Sequence, residues 1–396
     1  MTIAAPKLTV SAAPRIDYVD ALRGLACLFV VMYHFFDGKH PYDIHPWLDA
    51  HPQFPFMAVL RIVFSYGAAS VPLFLALSGF CLFWPVARKY PLPDVRVDFF
   101  QFIQRRARRI LPPYYIALLG FVLYERIVPG QLTAEYPSGG VKVVIEHILM
   151  LQNFSLKAFA ATNSVFWSLA VEWQMYLAFP LFLWVIRRGG EKWGLPLLVA
   201  ASLLVAAAWS VFSTHKVGQP IDWREYNMWH ASPLDYCWYF ALGMASAYLV
   251  ANPHFRTLRA WVTGLGLAAF LPAIYLTPQR LPFAPESFFW GLGFVGLLVG
   301  TSYVKTSIFQ PRGWLHSLTW FGTCSYSMYL VHGPIIVLME RLVGARLALI
   351  ITLPIVIVAG YLFHLAFERP FMNSKPGVKI RTEAQAEIAA VESPAP

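Results

Sequence analysis

An arginine and a histidine in the first apolar stretch have a spacing that could support chemistry. Arg23 and His34 are eleven positions apart, close to three helical turns, so both lie on one helix face about 16 Å apart along the axis. Apolar surroundings favour a neutral imidazole. Such a ring can take a proton from a hydroxyl group, as acyl transfer to an alcohol requires. The simpler alternatives are an arginine that reaches for the membrane surface and a histidine among lipid headgroups.

Two further polar groups stand inside apolar stretches. Glu172 lies in W-S-L-A-V-E-W-Q-M-Y-L, and a carboxylate within a membrane needs a partner. It is either solvated at the outer interface or paired with a basic group of a reaction site. Ser78 belongs to a Ser-Gly pair, which is typical of close helix packing, or else its hydroxyl bonds a donor or an intermediate.

The last two apolar stretches also carry polar residues. Tyr326, Tyr329 and His332 share a helix, and Tyr329 and His332 are neighbours on one face. They either pack against one another or line a site. Glu368 and Arg369 end the final stretch, where we expect both to reach for the membrane surface.

Four arginines in five positions lead into the third apolar stretch. Arg105, Arg106, Arg108 and Arg109 are either a cytoplasmic anchor against anionic lipid or a phosphate clamp, since guanidinium groups match phosphate oxygens. A coenzyme A thioester carries several phosphates and is made in the cytosol, so it would fit such a clamp.

The composition decides which class of protein positions these residues. The chain has 396 residues, of which 58% are hydrophobic and 13% are charged, about half the charge of a soluble protein. This excludes a soluble multidomain enzyme, a disordered scaffold and a disulfide-rich secreted module. The net charge of +10 is spread between apolar stretches, so it reflects membrane topology and not nucleic-acid binding.

Spans of about 20 apolar residues recur along the chain. Loops on the side of the termini hold 21 of the 31 lysines and arginines and the other loops hold 10, which places both ends in the cytoplasm. The sequence predicts an all-α polytopic membrane protein with about ten transmembrane helices. One transmembrane domain over 15–375 lies between disordered tails, 1–14 and 376–396. The predicted spans are 19–36, 69–87, 110–128, 165–187, 195–213, 232–250, 258–276, 286–304, 321–340 and 345–367.

Shorter apolar stretches, 56–66 and 141–151, are predicted to be interfacial or re-entrant pieces. His40, His45 and His51 in the first outer loop have a spacing that fits no familiar metal site, so no metal is expected.

In combination these motifs resemble the acyltransferase-3 family of bacterial membrane O-acyltransferases, from about Tyr18 to Phe371. Each motif is weak alone, but their joint occurrence in this order is specific. They are D-A-L-R-G from Asp20 with His34 completing an Arg-x10-His spacing, V-P-L-F-L-A-L-S-G-F from Val71, R-R-A-R-R-I-L-P from Arg105, W-S-L-A-V-E-W-Q-M-Y-L from Trp167, S-Y-S-M-Y-L-V-H-G-P from Ser325 and E-R-P from Glu368.

The resemblance implies a multi-pass protein of the bacterial inner membrane. It would move an acyl group, commonly acetyl, from cytosolic acyl-CoA to a hydroxyl of a sugar, polysaccharide precursor, glycolipid or small metabolite. It associates Arg23 and His34 with activity and places the family's acidic position at Glu172. A second acidic residue often follows in the family, where this chain has Trp173. This leaves Glu172 alone to supply negative charge.

We therefore expect three groups of site residues. The catalytic group is His34, as general base or transient acyl carrier, with Arg23 and Glu172. The donor, acetyl-CoA or another acyl-CoA, would meet Ser78 and the four arginines. The acceptor would meet Trp167, Tyr326, Tyr329 and His332. Membrane lipids are the other expected partners. Two alternatives remain, a transporter or flippase for a lipid-linked sugar, and a catalytically silent membrane scaffold.

Overall fold

In the computed structural model, every regular element among the described residues is a helix, which confirms the predicted all-α class. The structure describes residues 16–36, 55–89, 98–127, 140–161, 163–218, 222–277, 285–311 and 313–372. Both predicted tails and the three histidines of the first loop lie outside these ranges. The helices are α1 Asp17–Phe36, α2 Pro55–Ser65, α3 Ser70–Ala87, α4 Phe99–Ile127, α5 Gly140–Ile148, α6 Leu156–Ala160, α7 Trp167–Val217, α8 Trp223–His230, α9 Pro233–Ala251, α10 Arg256–Leu276, α11 Glu286–Thr301, α12 His316–Phe363 and α13 Arg369–Met372, with a π-helical turn His364–Glu368 between the last two.

Six helical segments of the described chain are long and apolar enough to cross a membrane. The protein is thus a multi-pass membrane protein, while the count of ten spans and the cytoplasmic termini stay predictions. The six segments are Asp17–Phe36, Val59–Ala87, Trp167–Val217, Pro253–Leu276, His316–Val343 and Ile351–Met372.

The two longest helices fold back on themselves. In α7 the backbone leaves the helical region at Gly190 (φ 66°), and a Cβ at Gly194 would lie 2.2 Å from the Ile186 carbonyl oxygen. Only a glycine allows the two arms to approach so closely. In α12 the Ser327 hydroxyl donates a hydrogen bond to Glu368, 41 residues away, a separation of about 60 Å in a straight helix. Each element therefore forms two adjacent arms, as the predicted pairs of spans require.

The apolar stretch at 56–66 is part of a longer helical run. Pro55–Ser65 continues through a 3₁₀ turn, Tyr66–Ala69, into α3, and the residues on both sides of the turn keep helical dihedral angles. The candidate span accordingly begins at Val59. The structure thus joins the predicted interfacial piece to the second span, because no helix-breaking conformation separates them.

Close packing of α1 against the first arm of α12 positions the site. A Cβ at Gly24 would lie 2.0 Å from the Leu318 carbonyl oxygen. Farther along, the Cys27 thiol contacts the Ser325 carbonyl oxygen. The contact positions advance together along both helices, so the helices run parallel. Both therefore begin at the same end of the molecule.

Candidate active site

A cavity of about 330 Å³ lies where α1, α3, α4, α7 and α12 meet. Its walls combine apolar side chains with hydroxyl groups and ionisable groups. Among the described residues, the lining holds three arginines and three acidic side chains, so their formal charges balance. They are Arg23, Arg106 and Arg109, and Asp20, Glu172 and Glu368.

Arg23 faces this cavity and is held by its own helix and by α3. Its guanidinium lies 3.3 Å from the Asp20 carboxylate, and the side chains of both are about four-fifths buried. The second terminal nitrogen donates to the Cys81 sulfur at 3.4 Å. Because Arg23 contacts α3 and lines the cavity, it is a cavity residue and does not extend to the membrane surface.

Glu172 is held by hydroxyl groups. Its Oε1 accepts a hydrogen bond from Ser78 Oγ at 2.7 Å and another from the Tyr176 hydroxyl. Two hydroxyl groups, one from α3 and one from α7 itself, therefore hold this carboxyl group in the cavity wall. Glu172 and Ser78, chosen independently from the sequence, are thus direct partners.

The arginine cluster divides between the cavity and the surface. Arg106 and Arg109 line the cavity, Arg108 is exposed and Arg105 is half-buried away from the cavity lining. Arg106 lies 5.7 Å from the centre of the Tyr176 ring. Burial lowers the pKa of Arg106; Tyr176 opposes that shift and Arg109 adds to it. Within the described ranges neither lining arginine has an ion pair, which favours an anionic ligand.

His34 lies outside this cavity and pairs with His332. The two ring centres are 5.0 Å apart, and His332 Nε2 lies 3.2 Å from His34 Nδ1. Each Nδ1 is also 2.8 Å from a backbone carbonyl oxygen, that of Val30 for His34 and that of Tyr329 for His332. A carbonyl accepts only from N–H, so both rings carry hydrogen on Nδ1. The basic lone pair of His34 is then on Nε2.

Tyr329 connects the cavity with the histidine pair. Its side chain lines the cavity and its hydroxyl lies 2.6 Å from Ser168 Oγ and donates to the Val165 carbonyl at 2.9 Å. Its ring centre is 5.4 Å from that of His332. One tyrosine therefore forms the wall between the charged groups and the imidazoles.

Two other residues expected at the acceptor site lie in different places. Tyr326 lines the cavity and its hydroxyl donates to the Ile110 carbonyl at 2.8 Å, which ties α12 to α4. Trp167 is absent from the described cavity lining, and its ring packs 5.6 Å from that of Tyr236. The structure thus brings together Arg23, Glu172, Ser78, Arg106, Arg109, Tyr326 and Tyr329, and places His34 and His332 beside them.

The model of the acyltransferase-3 family, described as an acyltransferase domain, matches residues 16–369. The chain belongs to this family. It is 25% identical over 349 residues to the acyltransferase MdmB of Streptomyces mycarofaciens, covering 80% of this chain and 83% of that protein. It is 24% identical over 342 residues to the peptidoglycan O-acetyltransferase OatA of Listeria monocytogenes, covering 81% of this chain and about half (49%) of OatA. No solved structure matches the chain.

This acyltransferase-3 protein has a buried carboxylate that sequence reasoning assigned to the membrane surface. Glu368 is 1% exposed and its Oε2 lies 2.6 Å from Ser327 Oγ and 2.8 Å from His364 Nδ1. Arg369, next along the chain, is exposed. The π-helical turn His364–Glu368 places the carboxylate inward, and π turns are frequent at functional sites. The expected position of Glu368 was therefore wrong.

Asp20 and Ser168 were also missed as cavity residues. Asp20 stands one turn before Arg23, a spacing that predicts an ion pair on a helix, so that signal was present. Ser168 had no such signal, because its partner Tyr329 is 161 residues away.

Proposed function

We propose that this enzyme transfers an acyl group, with acetyl as the first candidate, from cytosolic acyl-CoA to a hydroxyl of a glycan, glycolipid or glycosylated metabolite at the bacterial inner membrane. Donor phosphates would meet Arg106 and Arg109, the lining cations without an ion pair in the described chain. The family membership supports acyl transfer, and the relative OatA, named a peptidoglycan O-acetyltransferase, supports an O-acetyl product on a glycan.

One observation carries this proposal: α1 presents two functional groups on the same face. They are His34, whose tautomer is fixed, and Arg23, which lines the cavity. About 16 Å separates them along the axis, whereas a catalytic base must be within about 3 Å of the proton it takes. Arg23 and His34 therefore act on different parts of the substrates. A long thioester arm that extends past Tyr329 would bring its acyl end to His34.

In the proposed step, His34 Nε2 takes the proton of the acceptor hydroxyl as that oxygen attacks the thioester carbonyl. The carbon–sulfur bond then breaks, and the imidazolium returns the proton to the thiolate, which leaves an ester and coenzyme A thiol. His332 and the Val30 carbonyl hold the Nδ1 side of the His34 ring throughout. No net proton is gained or lost.

Arg23 and Glu172 would hold the donor. Arg23 offers a cation to an anionic group, and its ion pair with Asp20 limits the energetic cost of burying that charge. The Ser78 hydroxyl donates to Glu172, so its oxygen accepts from an N–H group of the donor arm. These contacts bind and orient the donor.

The test uses full-length protein in nanodiscs, acetyl-CoA labelled in the acetyl group, and membranes of the expressing strain as the source of acceptor. We expect label in alkali-labile ester and an equal release of thiol, both lost in His34→Ala. His254→Ala, at an exposed histidine, is the matched control and should behave as wild type. A lipid-linked sugar that crosses the membrane without labelled ester would favour a transporter or flippase instead.

A further inference from the structure

A second cavity, of about 300 Å³, lies at the end of the molecule where α12 begins. It shares Thr323 and Met372 with the first cavity, so the two adjoin. A hydrogen bond also links them, because His364 lines the second cavity and Glu368, its partner at 2.8 Å, lines the first. A single elongated ligand could therefore occupy both.

The ionisable groups of the second cavity are all basic among the described residues. They are His316, His364 and Arg369. His316 Nδ1 lies 3.2 Å from the Phe309 carbonyl oxygen, and His364 Nδ1 lies against the Glu368 carboxylate. Because both Nδ1 atoms are occupied, a ligand would meet Nε2 of each ring, which donates when the ring is protonated. The exposed Arg369 guanidinium adds a fork that matches phosphate oxygens.

An aromatic surface lies beside these groups. Trp320 lines the second cavity and is partly exposed, and its ring centre is 5.1 Å from that of Tyr361, which supports it from one side. An indole face provides a stacking surface for a nucleobase, whereas a lipid headgroup phosphate has no ring to stack. Basic and aromatic groups together therefore favour a phosphorylated nucleoside over a phospholipid.

We propose that the second cavity binds the phosphorylated adenosine end of the acyl donor, with Arg369, His316 and His364 on phosphate and Trp320 against the base. This assignment rests on the proposed function. It gives the donor a path from the second cavity, past Thr323, into the first cavity and on towards His34. Two of the donor's three phosphates then belong to the adenosine end in the second cavity, and the third, next to the thioester arm, is the one left for Arg106 and Arg109.

The test measures binding of adenosine 3′,5′-bisphosphate, a probe without a thioester, to full-length protein in phosphatidylcholine nanodiscs. We expect Arg369→Gln and Trp320→Leu each to weaken binding about tenfold or more, and adenosine without phosphate not to bind. Arg188→Gln and Trp193→Leu, at exposed residues outside both described linings, are the matched controls. Thermal unfolding of each variant shows that the fold is retained.

A second experiment distinguishes the two sources of phosphate. Phosphatidic acid added to the nanodiscs should change the Kd for the bisphosphate by no more than about twofold, because the nucleotide is the preferred ligand. Competition by phosphatidic acid with no binding of the bisphosphate would overturn the proposal in favour of a lipid site. Unchanged binding in both variants would also overturn it.

The binding assay is independent of turnover. Binding that depends on Arg369 and Trp320 in a protein that transfers no acyl group would support this site and contradict the proposed function. Normal acyl transfer, together with bisphosphate binding that neither substitution changes, would support the proposed function and contradict this site.

Discussion

The charged cavity and the histidine pair are neighbours that are built in different ways. In the cavity, side chains hold side chains: Asp20 holds Arg23, and Ser78 and Tyr176 hold Glu172. In the histidine pair, backbone carbonyls hold both rings and fix where each proton lies. Lining arginines without an ion pair in the described chain suit the binding of an anionic ligand. A ring with one defined lone pair suits the transfer of a proton.

This difference predicts that the two regions affect different kinetic constants. His34→Ala should lower kcat about 10²- to 10⁴-fold, the usual contribution of a general base, and leave KM for the donor within a few-fold. Steady-state kinetics with labelled acetyl-CoA measure both constants, with His254→Ala as control. A main effect on KM would place His34 in donor binding.

Arg23→Gln should act in the opposite way. Loss of one charge-assisted hydrogen bond costs about 1.5–3 kcal/mol, so KM for the donor should rise about 10- to 100-fold with a smaller change in kcat. Arg256→Gln, at an exposed arginine, controls for the loss of one positive charge. A fall in kcat with KM unchanged would contradict a binding role for Arg23.

Two substitutions at His332 test its role as a positioning residue. The amide of His332→Gln can occupy the place of Nε2 and keep a contact with His34, whereas that of His332→Asn occupies the place of Nδ1 and loses it. We expect kcat to fall about tenfold in the asparagine variant and to stay near the wild-type value in the glutamine variant. The pH profile of kcat should shift only in the asparagine variant. Equal losses in both variants would indicate a structural role.

The smallest effect should come from the packing of α1 against α12. Gly24→Ala would place a Cβ 2.0 Å from the Leu318 carbonyl oxygen, and overpacking of this kind costs about 1–3 kcal/mol of stability. Gly120→Ala in α4 is the matched control, since a Cβ there meets nothing within 4 Å. We expect a lower Tm only for Gly24→Ala. Equal Tm values would show that the close contact does not hold the two helices.

Much of this arrangement could be predicted from local pattern. The spacing of Arg23 and His34 predicted that they share a helix face, and the apolar residues around them predicted a membrane-spanning helix. Glu172 was a strong candidate because an intramembrane carboxylate needs a partner. The sequence could not show that its partners would be Ser78 and Tyr176, because the Ser78 contact depends on how α3 packs against α7.

The remaining features depend on long-range packing. Glu368 was expected at the membrane surface because a helix-end position favours solvation, but the π turn and the fold-back of α12 bury it against Ser327. The contact between His34 and His332 joins residues 298 positions apart. It arises from the parallel packing at Gly24, which the sequence around either histidine does not reveal.

A structure of the protein with bound acetyl-CoA would show whether donor binding and proton transfer occupy separate regions along α1. We expect the phosphates at the Arg23 end of α1, the thioester arm passing Tyr329, and the thioester carbonyl close enough to be attacked by a hydroxyl held by His34 Nε2. A thioester beside Glu172 and Arg23, with its acyl carbon more than 10 Å from His34, would contradict this separation.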